Sequence, residues 1–220
     1  ELEANQENIF NPDDVLNPGG GGTTVPPPTT LPVGAVPPST LPVGTAPEST
    51  TTTTTTTTTV PLPAESPRVF AIGDSVMLGA SDVLTPRGWT VYAEVGLQMV
   101  DAVPIVEDLA EAGFFENTKA VIVHLGTNGT ITAETLNALL APLSSVPNVL
   151  LYTIRANRSW TQGNNAIIRA RDKPGDNIAL IDWEIRSQEC TNNCFAGDGI
   201  HLNNTGKQFY ADLARDWTGV

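Results

Sequence analysis

From about Pro67 to the C-terminus, five short apolar runs alternate with stretches of helical periodicity, and this alternation limits the fold more than any other feature of the chain. The runs are 68–73, 90–95, 120–124, 148–153 and 178–182. Most are rich in β-branched residues and lack an in/out polar alternation, as expected of strands buried on both faces. Between them, Met99, Val103, Val106 and Ala110 recur at three- and four-residue steps. Leu136, Leu139, Leu140 and Leu143 do the same, and Phe209, Leu213 and Trp217 share one face of a last helix. Alternating strands and helices imply a parallel sheet covered on both sides. The expected fold class is therefore α/β: a three-layer α/β/α sandwich around a mostly parallel five-stranded sheet, occupying residues 67–220.

Residues 1–66 have another texture. Residues 1–17 are acidic and polar, 19–22 are four glycines, and Pro and Thr dominate from Thr23, with TLPVG at 30–34 and again at 40–44. An unbroken threonine run covers 50–59. Such a segment lacks the apolar surface to offset its ordering entropy and reads as a disordered stalk or linker of the kind found outside the cytoplasm. At a polyproline rise of about 3.1 Å per residue it reaches at most about 140 Å from Thr23 to Pro67.

The formal net charge is -13 and the chain has no basic run. Nucleic acids and anionic membrane surfaces call for clustered Lys and Arg, so neither is an expected partner. No stretch of 18 or more residues is apolar throughout, as a membrane-spanning helix requires. The first residue is Glu1 rather than Met, so the chain reads as a processed protein or a piece of a longer one.

Small polar motifs follow the first three strands. The first ends in Gly73-Asp74-Ser75, the second is followed by Gly96-Leu97-Gln98, and the third by Leu125-Gly126-Thr127-Asn128-Gly129. A fourth motif, Asp198-Gly199-Ile200-His201, precedes the final helix. In an open parallel sheet, sites form beyond the carboxyl ends of the strands, where the first three motifs fall. Ser75 at a helix start offers a hydroxyl nucleophile and a backbone N–H for a developing oxyanion. Gly96 can offer a second N–H, and the Asn128 amide a third. His201 is a candidate general base, and Asp198 a partner that holds its tautomer.

These four blocks, in this order, resemble those of the SGNH hydrolases, and the resemblance covers residues 67–220. It implies a flavodoxin-like sheet, Ser75 as nucleophile, His201 as base and Asp198 as its partner, with oxyanion donors from Ser75, Gly96 and Asn128. A narrower resemblance lies in residues 73–80, 125–129, 155–165 and 181–183. These look like the extracytoplasmic SGNH domain fused to membrane acyltransferase-3 proteins, whose best-known members acetylate the muramic acid C6 hydroxyl of peptidoglycan. Members often carry Gly-Arg-Gln at the second block, where this chain has Gly96-Leu97-Gln98. A backbone donor at Gly96 survives that change; a role for the absent Arg in holding an anionic acceptor does not.

Plainer roles exist for several of these residues. Ser75 can be a helix N-cap, and Asn128 before Gly129 a turn residue. Asp74 reads as structural and His124 as core. Trp160 and Trp183 are core or rim aromatics, with a substrate-wall role open to Trp160 alone. Cys190 and Cys194, the only cysteines, are expected to pair in an exported protein and to be free thiols in a cytoplasmic one. Two distant histidines and one cysteine pair do not make a zinc set, so no metal is expected.

The resulting expectation is an extracytoplasmic, monomeric O-acyltransferase, secreted or tethered to a bacterial surface. It would take an acetyl group from a donor onto Ser75 and pass it to a glycan acceptor without a cofactor, with a membrane acyltransferase domain possible upstream. An esterase or deacetylase uses the same residues with water as acceptor. A non-catalytic glycan-binding module is the rival from another class; its mark would be a degraded triad, and Ser75, Asp198 and His201 are all present.

Overall fold

A computed structural model describes residues 68–191 and 193–219; the expected stalk at 1–66 lies outside them. The five strands are β1 (Val69–Gly73), β2 (Trp89–Ala93), β3 (Ala120–His124), β4 (Asn148–Tyr152) and β5 (Ile178–Ile181), in the order β2-β1-β3-β4-β5. Every pairing is parallel. Each expected strand is present to within two residues at either end: β3 matches, β2 begins one residue earlier and ends two earlier, and the other three lose one residue.

Successive side chains of β1 enter opposite layers. Phe70 and Ile72 join a core with Val106, Leu109, Val121 and Leu139. Val69 and Ala71 join a second core with Met77, Trp89, Trp183 and Tyr210. The first layer is built on α3 (Met99–Glu111), α4 (Ala133–Leu140) and α5 (Thr161–Arg169). The second is built on α1 (Ser75–Leu78), α2 (Ser81–Leu84), α6 (Trp183–Arg186), α7 (Asn204–Asp212) and α8 (Arg215–Thr218).

Three helical details differ from expectation. The buried face of α3 is Met99, Ala102, Val106 and Leu109, with Val103 and Ala110 only half buried. α4 stops at Leu140, and Leu143 is buried from a following 3₁₀ turn that has Pro142 in its first positions. A proline lacks the N–H that a continuing helix would use. Finally, Phe209, Leu213 and Trp217 do pack on the second core, but the helix breaks between α7 and α8.

The strand order places the site. From β1 the chain steps outward to β2, then returns across β1 to β3, so the carboxyl ends of β1 and β3 part at the switch in strand order. A crevice opens at such a point. The expected core residue His124 ends β3 there. It is wholly buried, its Nδ1 lies 2.9 Å from the Tyr210 hydroxyl, and its Nε2 has no hydrogen-bond partner. Burial lowers its pKa below the usual 6.5, against the opposing pull of the Asp74 charge. An imidazole held neutral in the fold but protonated once unfolded contributes stability that is fully present above pH 6.5 and declines as pH falls below it. The melting temperature is expected to drop between pH 7 and pH 5, with a contribution from this group of up to about 1.4 kcal/mol per pH unit. Thermal melts of His124→Gln across that range should show a shallower dependence. Equal slopes in the two proteins would remove His124 as the cause.

Candidate active site

Ser75 is delivered by the turn from β1 into α1. Asp74 is the N-cap of that helix: its Oδ1 accepts the Val76 N–H at 3.0 Å and its Oδ2 the Thr127 N–H at 3.3 Å. The second bond spans the crevice and ties the β1 and β3 loops together. Because Asp74 does the capping, the Ser75 hydroxyl is left for another partner. Ser75 Oγ lies 2.9 Å from His201 Nε2, bringing together residues 126 apart in sequence.

His201 and Asp198 sit on a small hairpin closed by an antiparallel bridge between Phe195 and Leu202. The Ala196 N–H donates to the His201 carbonyl at 2.8 Å, and the Gly199 N–H to the Ala196 carbonyl at 3.0 Å. Asp198 Oδ1 accepts the Ile200 and His201 backbone N–H groups at 2.9 and 3.0 Å, while Oδ2 lies 2.5 Å from His201 Nδ1. The bond from His201, then the Ile200 N–H, depresses the Asp198 pKa to about 2. An ionised carboxylate only accepts, so the hydrogen-bond network assigns the proton to Nδ1 and leaves the Nε2 lone pair facing the Ser75 hydroxyl. This arrangement can remove a proton from Ser75 and stabilise the imidazolium that results.

Cys190 and Cys194 form a disulfide immediately before the hairpin. Asn203 fastens its base: the backbone N–H donates to the Cys194 carbonyl, the side-chain amide to the Asn193 and Phe195 carbonyls, and Oδ1 caps α7 through Thr205 and Gly206. Gly206 lets α7 approach closely, since a Cβ there would lie 1.9 Å from the Cys194 carbonyl oxygen. Asn203 escaped notice in the sequence, although an Asn before a helix with Thr and Gly following is an N-cap signal.

Gly96 lies in the turn after β2, at φ +83°, a conformation open to glycine. Asn128 lies in the loop after β3, and its amide Nδ2 is 3.5 Å from the Leu97 carbonyl. The two expected oxyanion donors are thus on adjoining loops at the carboxyl edge. Asn164 on α5 holds the Asn128 loop. Only 2% exposed, it accepts the Ile131 N–H at 2.9 Å and donates to the Gly126 and Gly129 carbonyls at 2.9 and 2.7 Å. This residue too was missed, because a buried amide on a polar helix carries no periodicity signal.

Trp160 is half buried at the start of α5, with its indole Nε1 buried and without a hydrogen-bond partner. A recess of about 380 Å³ opens beside the hairpin, with Arg155, Asn157, Glu184, Asp198 and Ile200 among its walls; Trp160 does not line it. Trp183 is core. Among the described residues no group of three or more His, Cys, Asp or Glu side chains could hold a metal.

The five-stranded α/β/α sandwich, with the four blocks gathered at its carboxyl edge, has the fold of the SGNH/GDSL hydrolases. In sequence it is related to O-acetyltransferases. It is 35% identical over 148 residues to the O-acetyltransferase OatA of Staphylococcus aureus, an alignment covering 64% of this chain and 23% of that protein. It is 34% identical over 146 residues to the peptidoglycan O-acetyltransferase OatA of Listeria monocytogenes, covering 65% of this chain and 22% of that protein. The chain therefore spans about a quarter of the length of these relatives. In structure it superimposes on the C-terminal catalytic domain of Streptococcus pneumoniae peptidoglycan O-acetyltransferase A with a TM-score of 0.59, at 21% identity, over 69% of this chain and 92% of that one. No protein-family model matches the chain.

Proposed function

We propose that this chain is the catalytic part of an extracytoplasmic O-acetyltransferase that acetylates a cell-wall glycan through an acyl-serine intermediate. The observation that carries the reading is the continuous chain from Ser75 Oγ through the His201 imidazole to the Asp198 carboxylate, at 2.9 and 2.5 Å. The relatives' names supply the acetyl group and the glycan. Their greater length supports an upstream domain, which in the acyltransferase-3 type would be membrane-embedded. The Cys190–Cys194 disulfide supports an oxidising location.

In the first half-reaction Ser75 Oγ attacks the acetyl carbonyl of the donor while His201 Nε2 takes the hydroxyl proton. The oxyanion receives hydrogen bonds from the Ser75 and Gly96 N–H groups and the Asn128 amide. Collapse breaks the bond to the leaving group, which takes the proton from His201, and acetyl-Ser75 remains. In the second half a sugar hydroxyl gives its proton to His201 and attacks the same carbonyl; collapse breaks the bond to Ser75 Oγ, which takes that proton from His201, and the acetylated glycan leaves. With water in place of the sugar the enzyme is an esterase. One observation favours that second reading: the His201 and Asp198 side chains are 33% and 47% exposed, so water reaches them.

The test is to incubate the protein with a chromogenic acetyl ester, with and without a chito-oligosaccharide, and to weigh the sugar by mass spectrometry. An acetylated sugar is the expected result. Ester turnover with free acetate as the sole product would replace the transferase by the esterase, and a folded protein without turnover would end both.

A further inference from the structure

Arg155 lies between β4 and α5, outside the four blocks, yet its side chain reaches the hairpin that carries His201. Its Nη1 donates to the Gly199 carbonyl, across 44 residues of sequence. Its guanidinium carbon stands 3.9 Å over the centroid of the Phe195 ring, and Phe195 in turn packs on buried Trp183 at 6.0 Å. One side chain from the sheet edge thus touches the hairpin at its base, through Phe195, and at its tip, through Gly199.

The tip contact falls on a particular peptide unit. The Gly199–Ile200 peptide presents its carbonyl to Arg155 and its N–H to Asp198 Oδ1. A charge-assisted bond to the carbonyl polarises the unit and strengthens the N–H as a donor. The carboxylate that this N–H orients also faces His201 Nδ1, and His201 Nε2 faces Ser75. Asn203 fastens the base of the hairpin, whereas its tip is exposed, and the Arg155 bond to Gly199 ties that tip to the sheet edge.

We propose that Arg155 is a positioning residue for the acyl-transfer reaction, clamping the hairpin and, through the Gly199–Ile200 peptide, aiming the Asp198 carboxylate at His201. The proposal rests on the Ser75–His201–Asp198 reading of the site. It differs from substrate binding, the other use of an arginine beside a recess, in what it leaves alone: the clamp acts on the rate of the chemical step and not on the affinity for the ester.

Arg155→Met keeps much of the stem and removes the cation and its donors. With a small chromogenic acetyl ester it should lower kcat about ten- to a hundredfold, the scale of a misplacement of an ångström or less, while KM stays within about twofold. The rate at which a sulfonyl fluoride modifies Ser75 should fall in proportion, since both depend on His201 accepting the same proton. Arg155→Lys should recover part of the rate, because an ammonium supplies a charged donor without the planar face that covers Phe195. Phe195→Leu should lower kcat in the same direction. If Arg155→Met does not fold, Arg155→Lys decides: reduced kcat at unchanged KM supports the clamp, and a wild-type kcat overturns it. A wild-type kcat in folded Arg155→Met, or a change confined to KM, also overturns it. Ser75→Ala run alongside separates the two layers of inference. Full activity in Ser75→Ala would remove the triad reading itself, whereas an inactive Ser75→Ala beside an unaffected Arg155→Met would remove only the clamp.

Discussion

Ser75→Ala and His201→Ala are each expected to lower acetyl-ester turnover by at least about 10³, and the double variant to be little worse than either. A serine hydroxyl is a weak nucleophile until its proton has somewhere to go, and the acceptor facing it is His201 Nε2 at 2.9 Å. Removing the base leaves a hydroxyl that attacks slowly; removing the hydroxyl leaves a base with nothing to activate. Each loss therefore contains most of the other. Residual turnover would come from the remaining oxyanion donors and from binding alone. Asp198 stays ionised down to about pH 2, so mild acidification leaves that carboxylate charged and able to orient His201. The measurement is kcat for all three proteins, together with the site labelled by a serine reagent. Losses that multiply in the double variant, or a label on another residue, would dismantle the triad.

Asn128→Ala is expected to lower kcat by about 10² to 10³ with little change in KM, as for a donor used mainly in the transition state. The amide is well suited to that use because its ground-state bond, to the Leu97 carbonyl at 3.5 Å, is long and easily given up. Its loop does not depend on it. Asn164 holds the loop from beneath by three hydrogen bonds, and Thr127 is tied to Asp74. Truncation at Asn128 should accordingly leave the loop in place and remove the donor alone. Steady-state kinetics on a small ester make the distinction, since an effect on KM alone would assign Asn128 to substrate binding.

The strands were the most legible part of the fold. A strand covered on both faces must be apolar along its whole length, and the five runs from Val69 to Ile181 are so with few exceptions. The face of α3 was less legible for a related reason. Met99, Val100, Ala102, Val103, Ile105, Val106, Leu109 and Ala110 make a wide apolar band. Several three- and four-residue stripes can be drawn in it, and only the sheet selects Ala102 and Leu109 while leaving Val100 59% exposed. The four site blocks stood out because each sets a Gly within two residues of a polar side chain, three of them at the end of a strand, where a fold seldom needs both.

The amino-acid sequence by itself determined the layer architecture, the parallel sheet and the polar groups offered at its carboxyl edge. Burial period and strand-end chemistry are local properties, written within a few residues of one another. Which of those groups meet, and what steadies them, was decided only by the tertiary structure. Asp74 takes the helix cap and frees Ser75; Asn164 holds the Asn128 loop, and Asn203 and Arg155 the His201 hairpin, by hydrogen bonds to backbone carbonyls. A carbonyl is present at every residue, so nothing in the sequence marks the one that a distant amide or guanidinium will find. That choice belongs to the packing of α5 and α7 against the sheet, which brings the partners within reach.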